Sequence, residues 1–245
     1  MLALRSSIGV PLAASLMLLA CSKTSPPAPA PTAATPAVPA MSAEQAQSLK
    51  KSVDMYRQLV LSKSYELAAP IGQEVVAKYP SSTEAKEIQQ TLADTTAKAS
   101  AISTRRRLER LWIYQSGKES GGEQSTASIY SSEPATTDRV RLVLRKHSAW
   151  GQSVYLFGSG KGFECGKPCT VSIRYDDTPP QRTKAHLPET GEPAIFITDD
   201  RAFIARMSNA QKIAIEVAPK GKSAQSLVFE VGGYDAEKFT APKVK

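Results

Sequence analysis

The chain has 245 residues, of which 41% are hydrophobic and 22% charged, with a formal net charge of +8 and a sequence pI near 9.4. That is enough for one medium domain plus a helical segment, and beyond the first residues no apolar run is long enough to span a membrane as a helix. The surplus of lysine and arginine is scattered, with one dense cluster at Arg105, Arg106, Arg107 and Arg110. Such a surface attracts anions, whether nucleic acid, lipid or cell-wall polymer, or serves simply as a solvated face.

The chain opens with a positive charge at Arg5 and an apolar run of about 13 residues from Ile8 to Ala20. A bilayer-spanning helix needs ~20, so the segment reads as a secretory leader. It ends in Leu18-Leu19-Ala20-Cys21, which resembles the lipobox of bacterial lipoproteins. The resemblance implies cleavage before Cys21 and acylation of its sulfur with diacylglycerol and of its new amino group with a third chain. Each buried methylene contributes ~0.8 kcal/mol, so three acyl chains would anchor the protein durably. No aspartate follows the cysteine (Ser22 and Lys23 stand there), which by the same resemblance implies sorting to the outer membrane, on its periplasmic face. In that compartment nucleic acid is not an expected partner.

Residues 24–40 hold prolines, alanines, threonines and no charge. Proline biases such a stretch to an extended form rising ~3.1 Å per residue, a tether with a reach of ~50 Å. From Ser42 the pattern turns helical. Ala46, Leu49, Val53, Tyr56 and Leu59 or Val60 share one face. A break near 62–64 precedes a second stripe of Tyr65, Ala68, Ile71, Val75 and Tyr79, stopped by Pro80. Pro70 inside it is tolerated only near a helix start. Ser81-Ser82-Thr83-Glu84 offers a capping box for a third helix striped with Ala85, Ile88, Leu92, Ala99 and Ile102, running as far as Glu109. Tyr65-Glu66-Leu67-Ala68, Val75 and Tyr79-Pro80-Ser81-Ser82-Thr83-Glu84-Ala85 resemble the second helix of a tetratricopeptide repeat and the start of the next, with Gly72 departing from the usual aromatic. The likeness covers about one repeat, where a solenoid needs about three. It implies a helical hairpin with a long third helix, a packing or partner surface.

From residue 111 the pattern is β: 111–114, 126–130, 140–145, 154–157, 170–175, 194–197, 213–217 and 227–231 are short runs rich in β-branched and aromatic residues. Spacing and turns predict two antiparallel sheets face to face. A short helix after Asp199-Asp200 would carry Phe203, Ile204 and Met207 inward. The predicted fold class is α+β: a helical tetratricopeptide-like segment over 42–110 and a β-sandwich over 111–240, preceded by a leader (1–20) and an acylated tether (21–41) and followed by a tail (241–245).

Cys165 and Cys169 form an even, closely spaced pair. In an oxidising compartment they read as a disulfide. A zinc site needs four ligands, and the two histidines, His147 and His186, are distant in sequence. A redox site favours two intervening residues; here there are three. The bridge would contribute about 2 kcal/mol on the chain-entropy account and pin the tip of a hairpin between the strands at Tyr155 and Val171, presenting Lys167.

Chemistry is sparse. Gly158-Ser159-Gly160-Lys161-Gly162 lacks the serine or threonine of a phosphate loop and reads as a hairpin turn; no Gly-x-Ser-x-Gly elbow exists. Asp176-Asp177 reads as a strand end, Asp199-Asp200 as a helix cap, and both tryptophans, Trp112 and Trp150, as core. Phe163–Asp177, Ala202-Phe203-Ile204 and the ending from Leu227 to Ala236 resemble the sandwich domain of VasI-type proteins, envelope accessories of type VI secretion; that likeness implies no enzymatic activity. No catalytic residue, metal site or cofactor is expected. The expected role is that of a non-enzymatic binding or scaffold module for an envelope protein partner or peptidoglycan, with Lys167 and Arg105, Arg106 and Arg107 as candidate contacts. The alternative is a periplasmic inhibitor or immunity lipoprotein that plugs a toxic hydrolase or secreted effector with the Lys167 loop.

Overall fold

The computed structural model describes residues 41–119, 121–135, 139–158 and 160–242. The leader, Cys21 and the proline-rich tether lie outside them, as does Ser159. None of the helices described is long and apolar enough to cross a membrane.

The chain begins with α1 (Ala43–Leu61), α2 (Tyr65–Lys78) and α3 (Thr83–Glu109). Leu49, Val53 and Tyr56 of α1, Ala68 and Val75 of α2, and Ala85 and Ile88 of α3 form one small apolar core. These are the positions that a three-or-four spacing places on one face. The break between α1 and α2 is marked by Lys63 at φ +57°. α2 ends two residues before Pro80 and holds Pro70 well inside, where it withdraws the helical donor from the Glu66 carbonyl. The cap of α3 is Ser82, not Ser81: its hydroxyl accepts from the Ala85 N–H at 3.1 Å. The residue three beyond it is thus an alanine, and no reciprocal box forms.

The stripe expected along all of α3 stops halfway. Beyond Thr95 the side chains are exposed or half-buried until Leu108, and Ile102 faces solvent. The first half of α3 belongs to the helical core and its last turn to the β-region.

Ten strands follow among the described residues: β1 (Ile113–Glu119), β2 (Gly122–Tyr130), β3 (Arg141–His147), β4 (Gly151–Phe157), β5 (Phe163–Glu164), β6 (Thr170–Tyr175), β7 (Gln181–His186), β8 (Ala194–Ile197), β9 (Ile213–Pro219) and β10 (Gln225–Phe229). They pair antiparallel in the order β1-β2-β3-β4-β8-β7-β6-β9-β10, with β5 also on β9. The fold is α+β. The sheet path bends back on itself, so alternate residues of both halves (Leu142 and Leu144, Val154 and Leu156, Ile213 and Ile215, Leu227 and Phe229) meet in one core. Its far edge also closes: the Ser132 N–H donates to the Val228 carbonyl at 2.7 Å, and the Val228 N–H to the Glu133 carbonyl at 3.1 Å. The predicted face-to-face packing is therefore formed by one continuous strand path folded over.

Between β8 and β9, α4 (Asp200–Met207) starts where the two aspartates predicted: the Asp199 carboxylate accepts from the Ala202 N–H, and Phe203 and Met207 enter the core. After β10 the chain crosses back over the other end. Trp112 is core as expected, its indole donating to the Val231 carbonyl at 3.3 Å and meeting Tyr234 at 5.1 Å between ring centroids.

The hairpin expected between the strands at Tyr155 and Val171 does not form. β4 pairs with β3 and β8, whereas β5 and β6 both lie along β9. Glu164 faces Ala218 and Ser172 faces Glu216, so eight steps along one chain oppose two along the other. The extra residues bulge out and are closed at the neck by the Cys165–Cys169 disulfide. β4 and β5 pair with different strands, so the hairpin turn expected over 158–162 does not form.

Candidate functional site

The most distinctive surface is the outward face of β2, β3, β4 and β8. Alternation on β3 sends Leu142 and Leu144 inward and Arg141, Val143 and Arg145 outward. Register then lines up Tyr130 beside Arg141 and Phe157, Ser128 beside Val143 and Tyr155, and Tyr155 beside Phe196. Cationic and aromatic side chains interleave as a result. Arg139 stands 5.4 Å from the Tyr130 ring centre, and Arg141 lies 6.0 Å from Tyr130 and 5.8 Å from Phe157. Arg145 stands 5.3 Å from Trp150 and 5.4 Å from Tyr155. Such contacts are worth ~0.5–1 kcal/mol each at exposed sites, and their geometry holds each guanidinium in place.

Trp150 is held from beneath. The buried His147 ring stacks on it at 3.8 Å and 11°, and its Nδ1 accepts the N–H groups of Ala149 and Trp150 at 3.1 and 3.2 Å. With Nδ1 accepting, the neutral ring carries its proton on Nε2, which has no hydrogen-bond partner among the described residues. Trp150 itself is 54% exposed and Tyr130 42%, correcting the expectation that both tryptophans are core. Burial raises the Tyr155 hydroxyl's pKa, against the opposing fields of Arg145 and Arg141. Arg145 also donates to the Ser153 hydroxyl at 3.1 Å.

Among the described residues Arg139, Arg141 and Arg145 have no carboxylate at ion-pairing distance. The arginines singled out from the sequence are the reverse: Arg105 pairs with Glu109 at 2.9 Å, Arg106 with Glu66 at 2.6 Å and Arg107 with Glu230 at 2.7 Å. The Arg107 guanidinium holds the Glu230 carboxyl below its ordinary range. These three tie α3 to itself, to α2 and to the β-region. Lys167 is exposed on the disulfide-closed bulge, far along the chain from the cluster. Cys21 lies outside the described residues.

The remaining chemistry-bearing residues have structural surroundings. The Asp176 carboxylate accepts the N–H groups of Gln211 and Lys212 at 2.9 Å each, and Asp177 is fully exposed. His186 stacks on Phe196 at 5.3 Å. No group of three or more potential metal ligands occurs among the described residues. A concavity of about 1010 Å³ between α3 and residues 232–237 is lined by small side chains of Ala97, Ser100 and Ala101 and by the Arg105–Glu109 pair.

Sequence reasoning passed over the arginine–aromatic face because its members come from separate strands. The available signal was Arg141-x-Val143-x-Arg145 alternating against Tyr155-x-Phe157, and only register brings them together. The chain matches no family model, no curated protein and no solved structure.

Proposed function

We propose that the chain is a lipoprotein of the outer membrane, facing the periplasm, that works as a non-enzymatic binding module for an envelope partner, either a protein complex or peptidoglycan. The leader ending in Cys21 and the uncharged tether supply the address. The observation that carries the binding role is the face of Arg139, Arg141 and Arg145, whose guanidinium groups are positioned by rings and, among the described residues, have no carboxylate at ion-pairing distance. Arginine and aromatic residues together are the groups most enriched where protein surfaces grip a partner.

The anchor is tested with Cys21→Ala. The parent chain should incorporate labelled palmitate and fractionate with the outer membrane, and the variant should do neither. A parent chain recovered wholly soluble, or label retained in the variant, overturns the anchored reading. Cross-linking in intact cells then identifies what the exposed face touches.

A further inference from the structure

We propose that the arginine–aromatic face binds an extended acidic segment of a partner protein, whose carboxylates are held by Arg139, Arg141 and Arg145. This assignment rests on the binding role proposed above and names the ligand's chemistry.

Three features of the face lead there. First, an arginine without an acid partner offers a rigid fork of N–H donors that fits a carboxylate in two parallel bonds. Elsewhere in this protein the arginines of α3 already hold such carboxylates; on this face no described carboxylate is at ion-pairing distance, although Arg145 donates its Nε to Ser153 and lowers the pKa of Glu192 through its charge. Second, the rings are engaged. Tyr130 carries guanidinium groups of Arg139 and Arg141, Trp150 carries His147 and Arg145, and Tyr155 carries Arg145 and meets Phe196 at 4.8 Å. Binding of single-stranded nucleic acid depends on bare ring faces that stack successive bases; here each ring already carries a guanidinium, although Trp150 and Tyr130 stay 54% and 42% exposed. Recognition therefore falls to the guanidinium edges.

Third, spacing matches an extended peptide. Arg141 and Arg145 project from the same face of β3 four residues apart, ~13–14 Å at the rise of a strand. A peptide in extended form presents alternate side chains with the same ~7 Å repeat, so carboxylates four residues apart fall in step with the two arginines. The shorter Val143 and Ser128 sit between the two clusters, both 3% exposed, leaving the long side chains to make the contacts.

The test uses the full-length chain in neutral detergent micelles, with binding followed by fluorescence anisotropy. The probes are a labelled peptide of alternating Glu and Thr, the same peptide with Gln for Glu, single-stranded oligodeoxythymidylate and polyphosphate. Binding to purified peptidoglycan is measured by sedimentation. The variants are Arg141→Ala/Arg145→Ala and Arg141→Lys/Arg145→Lys.

The Glu peptide should bind and the Gln peptide should not. The alanine pair should weaken binding about tenfold per arginine. The lysine pair keeps the charge and an aliphatic stem but loses the fork, and should also weaken binding about tenfold or more. It keeps the test decisive if the alanine pair loosens the fold. Lysine variants that bind as the parent does would reduce the face to diffuse charge and overturn the proposal, as would equal binding of the Gln peptide or a preference for oligodeoxythymidylate or polyphosphate. Peptidoglycan retention that depends on these arginines, without peptide binding, would overturn the acidic-peptide assignment and leave the binding role standing. Failure of every probe, together with no cross-linked partner in cells, would overturn both.

Discussion

His147 links packing to the binding surface through a single ring. It is 3% exposed, terminates the β3–β4 hairpin by accepting two turn N–H groups, and supports Trp150, against which Arg145 rests. Replacing it with alanine removes the acceptor and the stack together. We expect His147→Ala to lower stability by about 1–3 kcal/mol and to shift tryptophan emission to longer wavelength as Trp150 swings into water, while Trp112 stays buried. Unchanged emission would mean that Trp150 is not held by this histidine. A lone histidine in a sequence carries no hint of this role, because the role depends on which backbone donors the hairpin turn brings to Nδ1.

Among the elements, the helical layer shows how one side chain can stand in for another. Gly72 has no side chain of its own, and the space beside it is taken from α1. A Cβ on Gly72 would lie 2.7 Å from the Tyr56 ring and 2.9 Å from Leu92. The Tyr56 hydroxyl then reaches α3, 2.9 Å from the Thr91 and 3.1 Å from the Thr95 hydroxyl. Tyr56→Phe keeps the ring and loses these bonds, so a fall of about 1 kcal/mol in unfolding free energy is expected, measured by urea titration. A variant as stable as the parent would show that the ring alone holds the three helices. The helices and α4 were legible because their apolar stripes and caps are local. β6 and β8 were found with their observed bounds for the same reason: each is a compact run of branched or aromatic residues. β7 was missed, since Gln181–His186 buries only Ala185, and its extended form is set by hydrogen bonds to β6 and β8 and not by its own composition.

At the scale of the molecule, α3 is the connection between two cores. It is 27 residues long, spanning ~40 Å at 1.5 Å per residue, and its last turn lies against Gly233. A Cβ there would come within 2.2 Å of the Leu108 carbonyl carbon and 2.3 Å of the Glu109 nitrogen. These are backbone atoms, which cannot rotate away, so Gly233→Ala must push the helix end off the β-region. We expect a loss of about 1–3 kcal/mol and a thermal transition that separates into two, one for each core. A single transition at the parent temperature would show that the contact at Gly233 does not couple them.

The chain's own order of residues determined the helical stripes of α1 and α2, the cap of α4 and the class of fold. Each depends on neighbours within a few positions, where periodicity and backbone preference act directly. Tertiary structure alone decided that the sheet folds over into one core, that the disulfide closes a bulge between β5 and β6 opposite β9, that Arg105, Arg106 and Arg107 are consumed by carboxylates, and that Arg139, Arg141 and Arg145 stand among rings with no described carboxylate at ion-pairing distance. Those outcomes hang on strand order and register, in which residues as far apart as Tyr130 and Phe196 share one face. Contacts of that range are selected by the free energy of the whole packed core, and no short window of sequence contains it.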